Sequence, residues 1–329
     1  MKALLQYLFN GNSLSQKEAE TALKDIASGN QTEAQVAAFL SVYNMRFPTT
    51  HEMIGFRKAM LELAIPIKFK EKRILDIVGT GGDGKDTFNI STLAAFVCAG
   101  AGVKVAKHGN YAVSSVSGSS NVLEFLGVQF GKTQEVLNQQ LNAANITFLH
   151  APLFHPAMRN VANVRKQLQL KTIFNLLGPI VNPCYPNVQL IGVHSDLVGK
   201  LYKDVLKTTE SDFAIVHALD GYDEISLTDD VRVFTRKSTH LYNPKTLGFA
   251  KINATDIYGG KNLKENAKTF LSILKGNGTA AQNNVVLANA AFAISLYAQN
   301  SYLAALEDAK KSLFNGYAYN SFEKLKSIQ

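Results

Sequence analysis

The first 65 residues carry apolar side chains three or four positions apart, the spacing that places them on one face of a helix. Three residue pairs have the spacing of a capping box, in which each partner's side chain accepts a hydrogen bond from the other's backbone N–H. The pairs are Ser15 with Glu18, Thr32 with Gln35, and Thr49 with Glu52. This pattern predicts a small all-helical unit of about four helices.

From Arg73 onward, short β-branched runs alternate with helix-like stretches. The predicted strands are Ile74–Val78, Val103–Val105, Ile146–Leu149, Val188–Val193 and Phe213–Ala218. The predicted helices between them are Ser91–Ala101, Gln134–Ala144, Pro156–Leu170 and Leu197–Thr208. Alternating strands and helices predict an α/β sheet with right-handed crossovers.

The pattern changes again after the fifth predicted strand. Closely spaced apolar runs at Ile225–Leu227, Val231–Phe234 and His240–Tyr242 predict a hairpin or an antiparallel appendage. The remaining chain is predicted to be helical at Leu263–Leu274, Asn283–Gln299, Tyr302–Phe314 and Phe322–Ile328. We find no internal repeat and no low-complexity segment.

Composition narrows the class of protein. The chain has 329 residues, of which 46% are hydrophobic and 18% charged, so it can bury a core and lacks the signature of disorder. The net charge of +8 favours anionic partners without choosing among phosphate esters, nucleic acid and acidic lipid. Cys98 and Cys184 give neither a disulfide framework nor a zinc spacing, which fits a reducing cytoplasm. With no signal core and no membrane span in the sequence, we expect a cytoplasmic, soluble protein.

A glycine-rich segment, Gly79–Thr87, lies between the first predicted strand and the next helix. Backbone N–H groups in such a turn, together with a helix N-terminus, can hold phosphate. Gly79, Gly81 and Gly84 match the G-x-G-x-x-G spacing of dinucleotide-binding folds, but the second strand ends in Lys107-His108 where those folds need an acidic residue. The ATP-binding spacing G-x-x-x-x-G-K ends on Asp86, where a hydroxyl is required. A simple turn without a ligand stays open as an alternative.

Two further segments follow neighbouring strands. The segment 107–121 is rich in hydroxyl and amide groups, and Asn89–Thr92 opens the first helix of the sheet region. Asp220–Glu224 follows the strand Phe213–Ala218 and offers adjacent carboxylates, hard oxygen ligands that suit Mg²⁺. Because ligands of open α/β sheets bind beyond the carboxyl ends of the strands, these segments predict one site for a polyphosphate with magnesium.

Five ordered motifs carry a resemblance. They are Gly79-Thr80-Gly81-Gly82-Asp83, Asn89-Ile90-Ser91-Thr92, Lys107-His108-Gly109-Asn110, Asn175-Leu176-Leu177-Gly178-Pro179 and Asp223-Glu224-Ile225-Ser226. In order and spacing the chain resembles the anthranilate phosphoribosyltransferase family from its N-terminal helices to its C-terminus. His155-Pro156-Ala157-Met158 and Arg165 fall where that family places its aromatic substrate pocket.

The resemblance implies a homodimer of the nucleoside phosphorylase-like phosphoribosyltransferase fold. It implies a small helical domain, residues 1–66 joined by helices from about 156–185, and a large α/β domain, residues 67–329. The implied reaction is a glycosyl transfer in tryptophan biosynthesis: anthranilate and phosphoribosyl pyrophosphate (PRPP) give N-(5-phosphoribosyl)anthranilate and pyrophosphate. Mg²⁺, two ions per subunit, is the implied cofactor, and neither nucleic acid nor a membrane is an expected partner.

The resemblance also implies roles for individual residues. The PRPP-binding residues are Gly79, Gly82, Asp83, Thr87, Asn89, Ile90, Ser91, Thr92, Lys107, His108, Gly109, Asn110, Ser114, Ser115 and Ser119. The anthranilate-binding residues are Gly79, His108, Asn110 and Arg165. The metal ligands are Ser91, Asp223 and Glu224, and no catalytic nucleophile or base is implied.

The chain departs from the family at Tyr111 and Val116, where the loop after Asn110 often carries basic residues. We expect Lys107, backbone N–H groups and the serines of this loop to compensate. Two other functions stay open: a pyrimidine nucleoside phosphorylase-like enzyme, against which Asn110 weighs, and a non-catalytic nucleic-acid-binding relative, supported only by the basic charge.

Overall fold

The computed structural model describes residues 1–112 and 117–328. The chain divides into two compact units, Met1–Ile67 with Ala151–Tyr185, and Lys68–His150 with Pro186–Gln329. The regular elements of the first unit are helical, and the second unit carries the sheet.

The elements are numbered in chain order. The α-helices are α1 (Lys2–Phe9), α2 (Gln16–Ala27), α3 (Glu33–Met45), α4 (Thr50–Glu62), α5 (Ile90–Gly100), α6 (Ser119–Phe125), α7 (Gln134–Ala144), α8 (Ala151–Phe154), α9 (Arg159–Leu168), α10 (Ile173–Leu177), α11 (Asp196–Leu206), α12 (Leu263–Leu274), α13 (Ala280–Ala298), α14 (Tyr302–Phe314) and α15 (Tyr317–Ser327). The strands are β1 (Leu75–Gly79), β2 (Val105–Gly109), β3 (Ile146–His150), β4 (Val188–Gly192), β5 (Asp212–Ala218), β6 (Val231–Thr235) and β7 (Thr239–Tyr242).

Seven strands of the described chain form one sheet in the order β3-β2-β1-β4-β5-β6-β7. The first five are parallel, with β1 at the centre paired to β2 and β4, and β6 and β7 add an antiparallel edge. β1 and β4 run in register from Leu75 opposite Val188 to Gly79 opposite Gly192. The carboxyl ends of these strands therefore lie at one edge of the sheet, where ligands of such sheets bind.

Helix α5 explains how the sheet is covered. Nine of its residues are buried, so it is apolar on all sides. It packs on β1 and against α13, α14 and α15. Phe96 of α5 makes edge-to-face contacts with Phe270 and Phe322, at ring-centroid distances of 6.3 and 5.5 Å. This packing fixes the N-terminus of α5 next to the carboxyl end of β1.

The helical unit has its own core. Phe39, Tyr43 and Phe56 form a set of edge-to-face ring contacts 5.2–5.9 Å apart between α3 and α4. The three predicted capping boxes are present at the starts of α2, α3 and α4, each of a kind that contributes about 1 kcal/mol. Local sequence alone thus defines where these helices begin.

The sequence predictions from Arg73 onward are confirmed for most elements. The last helix begins at Tyr317 rather than at the predicted Phe322, and three further predictions need correction. The second strand begins at Val105, at the residue where its prediction ended, and Val103 and Lys104 before it are irregular. Residues 156–170 do not form one helix, because a 3₁₀ turn at Pro156–Met158 precedes α9. The predicted strand Ile225–Leu227 is wrong: the backbone of Ile225 bonds a side chain of α13 instead of a neighbouring strand.

Candidate active site

The loop after β5 brings two carboxylates to the carboxyl edge of the sheet. Asp223 and Glu224 are both 7% exposed. Oδ2 of Asp223 accepts a hydrogen bond from the backbone N–H of Gly81 at 2.7 Å and lies 3.4 Å from Oγ1 of Thr80. The two side chains therefore lie at the edge where β1 ends, and Asp223 bonds the glycine loop directly.

Glu224 bonds the start of helix α5. Its Oε1 accepts from the backbone N–H of Ser91 at 3.2 Å, and its Oε2 lies 3.4 Å from the hydroxyl of Thr87. A carboxylate at a helix N-terminus is stabilised by the unpaired N–H groups there. Hydrogen bonds therefore join the carboxylate loop to the glycine loop and to the N-terminus of α5. The sequence predicted that these three segments would converge.

Glycines are required where Asp223 approaches. A Cβ atom on Gly79 would lie 2.4 Å from Oδ2 of Asp223, and a Cβ atom on Gly192 would lie 1.5 Å from its carbonyl oxygen. Gly81, Gly82 and Gly84 have φ of 62°, 67° and 74°, the left-handed region that favours glycine. Close approach and turn geometry, rather than flexibility, account for the glycines at this site.

Burial, and for Glu224 and Asp83 also neighbouring negative charge, raises the pKa of the carboxyl groups at this site. Burial raises the pKa of Asp223 above its ordinary range, and burial together with the charges of Asp223 and Asp83 raises the pKa of Glu224. Burial and then the charge of Asp223 raise the pKa of Asp83 to about 6. A bound cation would stabilise the ionised form of these buried carboxyl groups.

A buried cation lies next to this cluster. Lys107 is 2% exposed, and its Nζ donates to the carbonyl oxygen of Ile77 and lies 3.4 Å from Oγ of Ser91. Burial lowers the pKa of Lys107 to about 8, although Asp76, Glu224 and Asp223 act in the opposite direction. A lysine so placed provides positive charge at the carboxyl end of β2.

The N-terminus of α5 has an unusual backbone. Asn89, its N-cap residue, has φ of 58° and ψ of 50°, and its Nδ2 donates to the carbonyl oxygen of Ser117 at 3.0 Å. Oδ1 of Asn89 is buried and has no hydrogen-bond partner among the described residues. A strained residue with an unsatisfied buried oxygen is a mark of a functional position.

The second loop starts at the end of β2. The backbone N–H of His108 donates to Oδ1 of Asp76 at 3.1 Å. The carbonyl oxygen of Asn110 accepts from Oγ of Ser119 at 3.3 Å and from the N–H of Ser120 at 3.1 Å. The bonds from Ser119 and Ser120 to Asn110 therefore join the two ends of this loop. The predicted PRPP ligands Ser114 and Ser115 lie outside the described residues.

The donor set fits magnesium. Within residues 1–112 and 117–328, no three His, Cys, Asp or Glu side chains form a ready-made metal cage. Mg²⁺ is usually bound by one or two carboxylates together with waters and substrate phosphates. Asp223, Glu224 and the Ser91 hydroxyl offer hard oxygen atoms of this kind, and the crowded carboxylates favour a cation between them.

The chain matches known protein families. The glycosyl transferase family models match the α/β domain over residues 71–319 and the helical bundle domain over residues 2–64. The chain is 49% identical to an anthranilate phosphoribosyltransferase of Flavobacterium psychrophilum over 100% of this chain and 99% of the relative. It is 50% identical to one of Cytophaga hutchinsonii over 98% of this chain and 99% of that relative.

The chain belongs to the anthranilate phosphoribosyltransferase family. Solved structures of the family have the same fold. The anthranilate phosphoribosyltransferase of Thermus thermophilus superposes with a TM-score of 0.92 at 33% identity, covering 98% of both chains. The enzyme of Saccharomyces cerevisiae, in complex with PRPP and Mg, gives a TM-score of 0.91 at 27% identity over 98% of this chain and 96% of that one.

The structure distributes the family's expected residues between the two units. The glycine loop, Asn89–Thr92, Lys107–Asn110 and Asp223–Glu224 lie at one edge of the sheet unit. The side chains of Ile90 and Thr92 are buried. Arg165 belongs to the helical unit, where its guanidinium lies 5.5 Å from the ring centroid of Phe174 and burial lowers its pKa.

Three residues at this edge of the sheet were not predicted from the sequence. Asp76 in β1 bonds the backbone of His108, and Gly192 at the end of β4 makes room for Asp223. Nδ1 of His194 lies 3.2 Å from Oγ1 of Thr80. Gly192 could have been found as the residue that ends a predicted strand, whereas only strand order makes Asp76 and His194 neighbours of the site.

Proposed function

We propose that the protein is an anthranilate phosphoribosyltransferase, which transfers the phosphoribosyl group of PRPP to the amine of anthranilate and releases pyrophosphate in tryptophan biosynthesis. The observation that carries the proposal is the junction of Asp223 and Glu224 with the glycine loop and the α5 N-terminus. The chain surrounding this junction is 49% identical, over its full length, to an enzyme of that name.

The site suits an anionic donor. Backbone N–H groups of the glycine loop, the N-terminus of α5 and the buried Lys107 all present positive charge at the carboxyl edge of the sheet. The proposed PRPP-binding residues are Gly79, Gly82, Asp83, Thr87, Asn89, Ile90, Ser91, Thr92, Lys107, His108, Gly109, Asn110, Ser114, Ser115 and Ser119. Ile90 would contribute through its main chain, because its side chain is in the core.

We propose two magnesium ions per subunit, held by Ser91 on one side and by Asp223 with Glu224 on the other. When bound, Mg²⁺ neutralises the charge that develops on departing pyrophosphate. The yeast relative with PRPP and Mg bound supports the use of this metal. The burial of both carboxylates, and the negative charges of Asp223 and Asp83 near Glu224, support their role as ligands.

The reaction requires positioning more than acid–base chemistry. The anthranilate nitrogen forms a bond to the anomeric carbon as the bond from that carbon to pyrophosphate oxygen breaks. Lys107 and the loop N–H groups stabilise the leaving group's charge, and they are already oriented before the reaction begins. An aromatic amine is neutral near pH 7 and loses its extra proton readily after attack, so the chain needs no strong base.

For the acceptor we propose Gly79, His108, Asn110 and Arg165, with Arg165 pairing the anthranilate carboxylate. Arg165→Ala should raise the KM for anthranilate about tenfold or more and leave the KM for PRPP unchanged, because a hydrogen bond to a charged group is lost. Arg159→Ala changes an exposed arginine of the same helix and is the control. An unchanged anthranilate KM in Arg165→Ala would remove this assignment.

We further infer a homodimer that works in the cytoplasm, with domains 1–66, joined by residues from about 156–185, and 67–329. The division of the chain into two compact units supports these boundaries. Exposed apolar side chains on α1, such as Phe9 at 60% exposure, support a contact between copies. Among the described residues, no helix combines the length and the apolar character needed to cross a membrane.

The function is tested by the intrinsic fluorescence of anthranilate. Mixing the protein with anthranilate, PRPP and Mg²⁺ should consume anthranilate and decrease its fluorescence, and omission of PRPP or Mg²⁺ should stop the decrease. Absence of any decrease under complete conditions would contradict the proposal. Phosphate-dependent cleavage of a pyrimidine nucleoside by the same sample would then identify the phosphorylase alternative.

A further inference from the structure

An asparagine in the core bonds the loop that carries the two carboxylates. Asn289 lies in the interior of α13 and is 3% exposed, among apolar neighbours of the same helix such as Val286, Leu287, Ala290 and Ala291. An amide at such a position is costly unless its polar atoms are satisfied, so its partners show what it stabilises.

Those partners are on the loop after β5. Oδ1 of Asn289 accepts from the backbone N–H of Ile225 at 3.1 Å, and Nδ2 donates to the carbonyl oxygen of the same residue at 2.9 Å. Nδ2 also donates to the carbonyl oxygen of Val285 at 2.8 Å, one turn earlier in α13. The amide therefore pairs with both main-chain groups of Ile225 and is itself fixed to the helix.

Ile225 directly follows Glu224, and no strand pairing restrains it, since it lies between β5 and β6. Before Glu224, Asp223 is limited by contact with Gly79 and Gly192. The segment is thus restrained by the glycines on one side and by Asn289 on the other. Two adjacent carboxylates repel each other, so restraint of the main chain on both sides helps to hold their side chains at one site.

We propose that Asn289 is a positioning residue that fixes the main chain beyond Glu224, so that Asp223 and Glu224 present their carboxylates together to magnesium-bound PRPP. This inference rests on the proposed function and adds a residue that touches neither substrate nor metal. It acts as the partners of metal ligands commonly do, by orienting the ligand rather than contacting the ion.

Two substitutions in the full-length protein separate positioning from general stability. Asn289→Asp keeps the size of the side chain and its acceptor for the Ile225 N–H, but it replaces the Nδ2 donor with an oxygen that faces the Ile225 carbonyl. Asn289→Ala removes both bonds. Asn283→Ala is the matched control, because Asn283 is a buried asparagine of the same helix whose Nδ2 bonds the carbonyl oxygen of Gly278, in another loop.

The probe is Mn²⁺ in the presence of PRPP, with free Mn²⁺ measured by electron paramagnetic resonance at a temperature at which each variant retains wild-type circular dichroism. Asn289→Asp and Asn289→Ala should weaken Mn²⁺ binding about tenfold or more and lower kcat, with the KM for anthranilate unchanged. Asn283→Ala should lower the melting temperature and leave Mn²⁺ affinity as in the wild type.

Wild-type Mn²⁺ affinity in the Asn289 variants would overturn the inference, as would an equal loss in Asn283→Ala. If Asn289→Ala does not fold, the Mn²⁺ affinity of Asn289→Asp tests the inference, because this variant preserves the packing volume. Failure of the proposed function gives a different result: the wild-type protein itself would then bind no Mn²⁺ with PRPP and consume no anthranilate.

Discussion

Gly192 shows how a single residue without a side chain controls the site. It lies at the end of β4, and the carbonyl oxygen of Asp223 occupies the space that any Cβ atom would need. Gly79 opposite it in β1 meets Asp223 too, but through the movable carboxylate oxygen. The two glycines therefore differ in what a methyl group would displace, and this difference can be measured.

Gly192→Ala should lower the free energy of unfolding by about 3 kcal/mol or more, because backbone must move to admit the methyl group. Gly79→Ala should cost less stability, since the Asp223 side chain can turn away, yet it should also reduce kcat strongly. Chemical denaturation of both variants, with activity measured in parallel, tests the comparison. Equal stability of the two variants would contradict it.

Asp223→Asn with Glu224→Gln should decrease kcat on the order of 100-fold, because the charges that hold the metal are lost. Measured without metal, the same variant should melt at a higher temperature than the wild type near neutral pH. Burial raises the pKa of both carboxyls, so the folded state binds protons more readily and the wild type loses stability as the pH rises through these values.

The stability difference between this variant and the wild type should therefore shrink as the pH falls below the usual carboxyl range, where both forms are uncharged. Melting temperature as a function of pH checks this. A variant less stable than the wild type at every pH would show that the carboxylates support the fold rather than the function.

At the scale of elements, one carboxylate joins two helices of the helical unit and the segment that precedes a third. Glu52 of α4 is fully buried and closes the capping box with Thr49. It also accepts from the Tyr43 hydroxyl at 3.1 Å, from Nη2 of Arg46 at 2.6 Å and from the N–H of Leu14 at 3.0 Å. A local capping signal thereby becomes a tertiary contact among α3, α4 and the segment before α2.

Glu52→Gln should lower the free energy of unfolding by about 3 kcal/mol, because it leaves the Arg46 charge without its buried partner. Glu18→Gln is the control, since Glu18 forms the same capping box in an exposed position and Gln keeps the side-chain acceptor, so this change should cost far less stability. Urea denaturation of both variants measures the difference. Similar losses would mean that the tertiary contacts of Glu52 contribute nothing.

This carboxylate also predicts a pH dependence. Burial alone would raise the pKa of Glu52, but bonds from Arg46 and from the N–H groups of Thr49 and Leu14 outweigh burial and lower it. The stability that it contributes is therefore present above the ordinary carboxyl pKa and is lost as the pH falls through the lower, folded value. Comparing the acid melting curves of the wild type and Glu52→Gln tests this sign.

The elements differ in how far the sequence predicted them. The helices α12 and α14 begin and end at the residues predicted from the sequence. Ile225–Leu227 has the same β-branched and apolar character as the true strands, yet it pairs with Asn289 because α13 covers it. Local pattern cannot distinguish a buried loop from a strand, since both bury apolar side chains. Here Leu227 has a φ of 61°, in the left-handed region that strands do not use.

For the molecule as a whole, the proposed homodimer makes a prediction about α1. Leu8 lies on the apolar face of α1, but it is buried in the helical unit and is not available to a second copy of the chain. Its replacement by Glu would therefore disrupt folding. Phe9→Glu changes an exposed position and should decrease the mass measured by light scattering to that of one chain, with circular dichroism unchanged. A dimer that persists would exclude α1 as the contact.

The sequence by itself determined the two kinds of architecture, the capping boxes and the motifs that led to the family, because these depend on residues close together in the chain. Tertiary structure decided which distant residues meet: Asp76 with His108, Gly192 with Asp223, and Asn289 with Ile225 next to Glu224. Strand order and helix packing create these contacts. Asn289 and its partner Ile225 are more than 60 residues apart in the chain. No periodicity along the chain encodes such a pairing, since it arises only when segments that are far apart in sequence pack together in the fold.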